Sequence, residues 1–143
     1  MRWSSKLSMT TLPFLRADRI AIAVGAGGAC LVLGALGIQY LGGIAPDDDQ
    51  PGFKHIIMRP VPVGDLTFVR ATHHSPYGLI SSEWHLGKKF DWQIEIPANT
   101  TATVYVPATS AEKVSAHGLK MSRFEYGRAI FELGSGKYHF SSE

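Results

Sequence analysis

The fold is decided by residues 90–107, which read FDWQIEIPANTTATVYVP. Apolar and polar side chains alternate strictly on either side of the central Pro-Ala-Asn-Thr, with the apolar residues at 90, 92, 94, 96, 102, 104 and 106. A period of two places the apolar set on one face of a strand and the polar set on the other. Pro97 and Pro107 end the two strands because proline has no amide hydrogen to donate. The stretch therefore predicts an antiparallel hairpin with one buried face and one solvated face.

Working outward from this hairpin, turn-forming residues recur throughout the chain after residue 47. Between them lie eight strand candidates, near 53–59, 66–71, 79–86, 89–96, 102–106, 120–125, 129–133 and 137–141. Short strands at this spacing predict an all-β fold, an antiparallel β-sandwich of jelly-roll type. We expect this domain to span residues 47–143, with the acidic, Pro- and Gly-containing residues 47–52 as its boundary.

Charge is distributed unevenly between the two parts of the chain. Residues 1–46 hold four basic side chains and one acidic one, whereas residues 47–143 hold ten basic and eleven acidic ones. The predicted sandwich therefore lacks the basic field that nucleic acid requires. Because Cys30 is the single cysteine, an intramolecular disulfide is excluded.

Residues 1–46 contain an apolar run from Ile20 to Ile38 that has no charged residue. A helix of this length crosses the roughly 30 Å hydrocarbon core of a membrane. Basic residues precede the run and Asp47–Asp49 follow it, which is the charge order of a signal anchor with residue 1 in the cytoplasm. A cleaved secretory signal is a second interpretation, although its apolar core is usually shorter and a small-residue cleavage site is missing.

Two other interpretations of the apolar run stay open. Its glycines follow a strand-like segment as in a dinucleotide-binding loop, but Cys30 replaces the third small residue and no βαβ unit follows. In the other interpretation, the apolar run is the remnant of a helix or a segment that is not native to this domain. We expect a short helical segment here. The protein is then in the membrane or exported if the run is a genuine membrane helix, and cytoplasmic if it is not.

Acidic and histidine residues do not form a catalytic or metal site by their spacing. Asp91 and Glu95 share a strand face but lie about 13 Å apart, beyond the roughly 9.5 Å that glycoside hydrolysis allows. His73 and His74 are neighbours in a predicted strand and point to opposite faces. A cross-strand pair of Asp91 with Glu83 stays open. We predict no catalytic residue, no metal ligand and no cofactor.

Aromatic side chains offer a second kind of site, a stacking platform for a sugar ring. Trp92 has the phase of Phe90 and is expected in the core. Trp84, Tyr77 and His85 are the candidates for contact with a sugar, and the pattern leaves the phase of Trp84 open.

A series of short motifs runs in order from Tyr40 to the last strand candidate. They are Gly43-Ile44, Pro51-Gly52-Phe53-Lys54-His55-Ile56, Pro60, Gly64-Asp65-Leu66, Ser75-Pro76-Tyr77-Gly78, Ser81-Ser82-Glu83-Trp84, Ile96-Pro97-Ala98-Asn99-Thr100-Thr101-Ala102, Val104, Pro107, Gly136, Tyr138 and Phe140. This ordered set resembles the C-terminal end of bacterial α-L-rhamnosidases, the glycoside hydrolases of family 78.

The resemblance implies a C-terminal β-sandwich that follows a catalytic (α/α)₆ barrel, with residues 38–46 similar to the tail of the last barrel helix. The family's two catalytic carboxylates and its Asn-His pair lie upstream of Gly43, and residues 1–37 show no match to them. The implied function is a non-catalytic accessory domain of an α-L-rhamnosidase, here a fragment or truncated product. Its implied partner is the barrel, so we expect an exposed apolar patch on the order of a few hundred Å². A membrane-tethered carbohydrate-binding module is the alternative.

Overall fold

The computed structural model describes residues 20–26, 29–31, 38–62 and 66–143. Within these ranges the chain forms strands and two single helical turns, a π turn at Ile38–Gly42 and a 3₁₀ turn at Ala111–Lys113. The strands are β1 Ile20–Ala26, β2 Ala29–Leu31, β3 Ile44–Pro46, β4 His55–Met58, β5 Phe68–Ser75, β6 Gly78–Leu86, β7 Phe90–Ile96, β8 Thr101–Pro107, β9 Val114–Ser115, β10 Arg123–Glu125, β11 Arg128–Leu133 and β12 Gly136–Ser142.

The strands build two sheets that face each other. One sheet has seven strands in the order β2-β1-β5-β6-β7-β12-β9, and the other has five in the order β10-β11-β8-β4-β3. Each of the eight predicted strands is found, and the prediction of an all-β sandwich is confirmed. One strand pair departs from the antiparallel pattern, since β4 runs parallel to β8. The long connection that a parallel pair needs is supplied by β5, β6 and β7 of the other sheet.

The core lies between the inner faces of the two sheets. In β7 the predicted alternation is confirmed, because Phe90, Trp92, Ile94 and Ile96 are buried. The ring of Phe140 in β12 lies 5.8 Å from that of Trp92 within its own sheet and 5.1 Å from that of Phe131 in the other sheet. Each large apolar side chain that is removed from water here contributes about 1.5–3 kcal/mol.

The apolar run does not form the expected helix where the structure describes it. Residues 20–26 are β1, which pairs antiparallel with β5 from Ile20 opposite His73 to Gly25 opposite Phe68. The physical reason is visible in the sequence, where β-branched Ile20, Ile22 and Val24 alternate with alanine, a composition that favours strands. Within the described ranges, no helix has both the length and the apolar character needed to cross a membrane.

The chain enters the five-stranded sheet through residues 38–46. A π turn at Ile38–Gly42 leads into β3, and Ile44 in β3 is 2% exposed and belongs to the core. The boundary predicted between residues 46 and 47 thus falls at the end of a strand of the five-stranded sheet. Gly43 has φ +73° and lies against residues 59–60, where a Cβ would be 2.3 Å from the backbone nitrogen of Pro60. Glycine is therefore required at this point of the junction.

Candidate functional site

The outer face of the seven-stranded sheet carries a row of polar side chains. Arg70 in β5 is paired with Glu83 in β6, which is paired with Gln93 in β7, which is paired with His139 in β12. Because neighbouring strands are about 4.8 Å apart, this row extends for about 14 Å across the sheet. The strict alternation of each strand places these four side chains on the same face.

Glu83 is the centre of an ion-pair cluster on this face. The Arg70 Nε donates a hydrogen bond to Glu83 Oε2 at 2.6 Å, and His85 Nε2 lies 3.1 Å from Glu83 Oε1. The hydrogen bond from Arg70 is the main reason why the pKa of Glu83 is lowered, and the same bond raises the pKa of Arg70. The Arg70 side chain is 58% exposed, so the pair contributes at most about 1 kcal/mol of stability.

A second cluster joins β7, β12 and the loop after β9. His139 Nε2 lies 2.5 Å from Asp91 Oδ1, and the imidazole ring of His117 stacks on that of His139 with 5.7 Å between centroids. His117 has φ +38°, a left-handed conformation that is uncommon for a non-glycine residue.

A shallow depression of about 500 Å³ lies between the two clusters. Its polar lining comes from Ser81, Glu83, Gln93, Glu95, Lys137 and His139. Lys137 Nζ is 3.7 Å from Glu95 Oε2, so donors and acceptors alternate along the floor. Such an array suits a ligand with several hydroxyl groups, and the volume falls within the roughly 300–1,000 Å³ of small-molecule sites.

The pair of Glu83 and Asp91, which the sequence left open, does not have the chemistry of a glycosidase. Asp91 is directly opposite His85, which makes Asp91 and Glu83 diagonal neighbours with α-carbons about 7–8 Å apart. An inverting mechanism needs the two carboxyl groups about 6.5–9.5 Å apart, and it also needs one of them to act as an acid with a raised pKa. The pKa of Glu83 is instead lowered by Arg70, and Asp91 is bound to His139. The pair left open by the sequence therefore serves ion pairing.

The three residues predicted to contact a sugar do not form one site. Trp84 is fully buried and its indole Nε1 donates to the Leu41 carbonyl at 2.8 Å, so the prediction of a sugar contact at Trp84 is wrong. Tyr77 lies in the turn between β5 and β6, with Lys54 Nζ 5.2 Å from its ring centroid. His85 lies near the other end of β6, about 26 Å away along the strand. For these two exposed side chains, contact with a sugar stays a prediction.

Sequence reasoning missed Ser82 as a structural residue. This buried hydroxyl accepts a hydrogen bond from Trp92 Nε1 at 2.9 Å and donates one to the Gly42 carbonyl at 2.6 Å. Together with the bond from Trp84 to Leu41, it fastens the π turn to the core of the seven-stranded sheet. The signal was available, because Ser82 has the same strand phase as Ile80 and Trp84 and is the polar exception among them.

In the part of the chain that the structure describes, His, Cys, Asp and Glu side chains do not gather in groups of three that would hold a metal ion.

Comparison with known proteins assigns this domain to a family. The family described as the bacterial alpha-L-rhamnosidase C-terminal domain matches residues 43–120, which is more than half of the chain. The chain belongs to this family. The match begins at the junction glycine Gly43, includes Ser82 and both core tryptophans, and ends before β10.

Curated relatives of this rhamnosidase-domain chain are much longer than it is. It is 38% identical over 103 residues to an alpha-L-rhamnosidase of Streptomyces avermitilis, which covers 71% of this chain and 10% of the relative. It is 29% identical over 122 residues to an alpha-L-rhamnosidase of Formosa agariphila, and this match covers 77% of this chain and 13% of the relative. The chain thus spans about a tenth of the length of the curated relatives that it matches.

Solved α-L-rhamnosidases contain the same sandwich. The structure of the Streptomyces avermitilis enzyme complexed with L-rhamnose superimposes with a TM-score of 0.70 and 34% identity, covering 76% of this chain and 10% of the enzyme. The enzyme from Dictyoglumus thermophilum gives a TM-score of 0.65 and 26% identity, and the match covers 73% of this chain and 12% of the enzyme.

Proposed function

We propose that this protein is a non-catalytic accessory domain that stabilises the catalytic portion of an α-L-rhamnosidase. The observation that carries the proposal is the match to one small C-terminal part of these enzymes, about a tenth of their length. The ion-paired carboxylates of the outer face support it, because Glu83 does not have the raised pKa of a glycosidase acid. The hydrogen-bonded junction at Leu41 and Gly42 also supports it, since a rigid connection transmits stability from one domain to the next.

A chimeric enzyme tests this function. The matching C-terminal tenth of the Streptomyces avermitilis enzyme is replaced by the full chain, and its control is the same enzyme without any C-terminal domain. We expect the chimera to melt at a higher temperature than the domainless control, with a kcat/KM on an aryl α-L-rhamnoside close to that of the parent enzyme. Equal melting temperatures of the chimera and the control would contradict the proposal.

The isolated chain provides a second check. We expect no hydrolysis of the same aryl rhamnoside by the full chain alone. Hydrolysis that disappears in a Glu83→Gln variant would show instead that the outer face is an active site.

A specific observation favours a second candidate function, carbohydrate binding. The depression of about 500 Å³ on the outer face offers alternating donors and acceptors together with the apolar surface of Ile94 and Tyr138. L-rhamnose is the test ligand because it is the sugar complexed with the related Streptomyces avermitilis enzyme. NMR spectra of the full chain are recorded with increasing L-rhamnose, and the side-chain amide signals of Gln93 report on this site. Saturable shifts that are lost in a Gln93→Ala variant support binding, and unchanged spectra contradict it.

A further inference from the structure

Within the described ranges, three large apolar side chains are exposed, and they divide between the two ends of the sandwich. Leu86 ends β6, and Tyr126 occupies the turn between β10 and β11. Ala108 lies near both residues. Its amide donates to the carbonyl of Gly127, the residue after Tyr126, at 3.0 Å, and it lines a depression of about 250 Å³ together with Leu86. Tyr77, the third exposed side chain, lies at the opposite end in the turn between β5 and β6.

Tyr126 is unusual in both conformation and exposure. Glu125 pairs with Arg128, so Tyr126 and Gly127 form a two-residue turn, with φ values of +50° and +70°. Two positive φ values are typical of a type I′ turn, whose first position favours Asn, Asp or Gly. A tyrosine is strained there, and this one is also 98% exposed. A strained aromatic side chain that the fold leaves uncovered is characteristic of a binding anchor.

The polypeptide enters the five-stranded sheet from the same end. β4 and β8 are parallel, and both run towards the end of the sandwich where β6 finishes. β3 is antiparallel to β4 and therefore runs away from that end. Arg128 Nη1 donates to the Pro60 carbonyl at this end, 3.0 Å away. Gly43, which follows the π turn, lies against the backbone of Arg59 and Pro60, so the junction is joined through Pro60 to Arg128, the neighbour of the Tyr126 turn. In a C-terminal domain, the remainder of the enzyme precedes the π turn.

The border of this end is basic. Lys88 lies in the loop after Leu86, and the depression beside it also contains the ion pair of Lys89 with Glu143 at 2.9 Å. Arg128 lies half-buried next to Tyr126 and, within the described part of the chain, donates to a carbonyl and forms no ion pair with a carboxylate. Its pKa is lowered by burial and by the neighbouring charge of Arg59. An anionic surface brought against this end relieves that repulsion.

We propose that Leu86 and Tyr126, bordered by Lys88 and Arg128, form a docking end that binds the portion of an α-L-rhamnosidase preceding this domain. The partner surface has an apolar patch for the two anchors and carboxylates around it. This inference rests on the proposed function and goes further by assigning the surface that makes the contact.

The chimera with the full chain tests the docking end through paired variants. Leu86→Asp and Tyr126→Asn are combined at the docking end, and Tyr77→Asn is the matched control at the opposite end. We expect the double variant to inactivate about tenfold faster on heating than the wild-type chimera, because each anchor of an interface is worth more than about 1 kcal/mol. The control variant should inactivate at the wild-type rate.

The isolated full chain separates docking from folding. Tyr126→Asn alone relieves the turn, so we expect it to raise the melting temperature of the isolated chain while it shortens the lifetime of the chimera. Opposite signs support docking, whereas lower stability in both proteins would overturn it. A chimera that tolerates the double variant overturns the docking end alone. If the wild-type chimera is no more stable than the domainless enzyme, both the docking end and the proposed function are overturned.

The basic border has its own test. Lys88→Glu should shorten the lifetime of the chimera at low ionic strength, and this effect should shrink in about 1 M salt, where the screening length is about 3 Å. An effect that does not depend on salt would contradict an acidic partner surface.

Discussion

Ser82 is a hydroxyl in the middle of an otherwise apolar inner face, between Ile80 and Trp84 on the same strand. Burying a hydroxyl without a partner is costly, so such a residue persists only when its hydrogen bonds are made. Here it accepts from the indole of Trp92 and donates to the carbonyl of Gly42. A single small side chain thereby ties two strands and the incoming chain together.

Replacing Ser82 tests this role. Ser82→Ala leaves the Trp92 N–H and the Gly42 carbonyl buried without their partner, and we expect the free energy of unfolding to fall by about 2–3 kcal/mol. Urea titration measures the loss. Ser81→Ala is the control, because this neighbour lies on the outer face and should change the free energy by less than about 0.5 kcal/mol. Equal losses in the two variants would contradict the role of the buried network.

His73 should make stability depend on pH. Its pKa is lowered by burial first and by the charge of His74 second, so the unfolded chain binds a proton more readily than the folded chain does. The contribution of neutral His73 to the free energy of unfolding is therefore fully present above the usual histidine pKa of about 6.5, and it is lost as the pH falls below that value. His73→Phe keeps a ring against Phe53, whose centroid lies 4.4 Å away, and removes the titration.

Urea midpoints of the wild type and of His73→Phe between pH 7.5 and pH 5 (roughly one unit above and below the ordinary histidine pKa) measure this dependence. We expect the wild type to lose more stability on acidification than the variant does. Parallel curves would show that His73 has no part in the pH dependence.

At the scale of elements, the junction is the most constrained part of the fold. The π turn, Gly43 and β3 fit between the inner side of β6 and the backbone of residues 59–60, which leaves no space for a larger residue. The five-stranded sheet then depends on β3 as its edge strand.

Gly43→Ala should be severely destabilising, because the new Cβ meets three backbone atoms: Pro60 N at 2.3 Å, Arg59 C at 2.4 Å and Pro60 Cα at 2.7 Å. We expect a loss of at least about 3 kcal/mol from clash and backbone strain together. Gly52→Ala is the matched control, since Gly52 has φ +86° but nothing within 4 Å of a Cβ. It should lose only the strain, about 1–2 kcal/mol. Thermal melts compare the two, and similar losses would exclude the clash.

Prediction from the sequence succeeded wherever alternation and turn residues agreed, as in β7 and β8, because a two-residue period has one physical meaning. It failed for Ile20–Ala26, where an apolar run without charges was interpreted as a helix although its β-branched residues alternate with alanine. The candidate site was less predictable. Trp84 is buried by contact with Leu41, which lies 43 positions away, and local pattern does not contain such long-range packing.

At the scale of the whole molecule, the sandwich begins earlier than the sequence predicts. It includes residues that precede the predicted boundary between residues 46 and 47. Leu41 packs against the core, and Ile44 is part of it. Residues 38–46 are therefore a structural part of this sandwich, and in the proposed function they also connect it to the catalytic portion of the enzyme.

Shortening the chain tests this assignment. A chain that begins at residue 47 loses Ile44 and the acceptors of Ser82 and Trp84, so we expect a molten state with weak near-ultraviolet circular dichroism. A chain that begins at residue 38 lacks β1 and β2 but keeps the junction and the core residues from Ile44 onward, so it should keep the native spectrum and a cooperative thermal transition. A native spectrum for both chains would show that the sandwich is complete without the junction.

The position of β12 has a consequence for how the protein is made. This strand is last in chain order, yet it lies between β7 and β9 in the interior of the seven-stranded sheet. At about 5–20 residues per second, a ribosome needs roughly 2–9 s to proceed from the end of β7 to the end of β12. Throughout that interval β7 presents an unpaired edge, which is a template for association with other chains. We therefore expect the edge of β7 to stay open to other chains until β12 has been made.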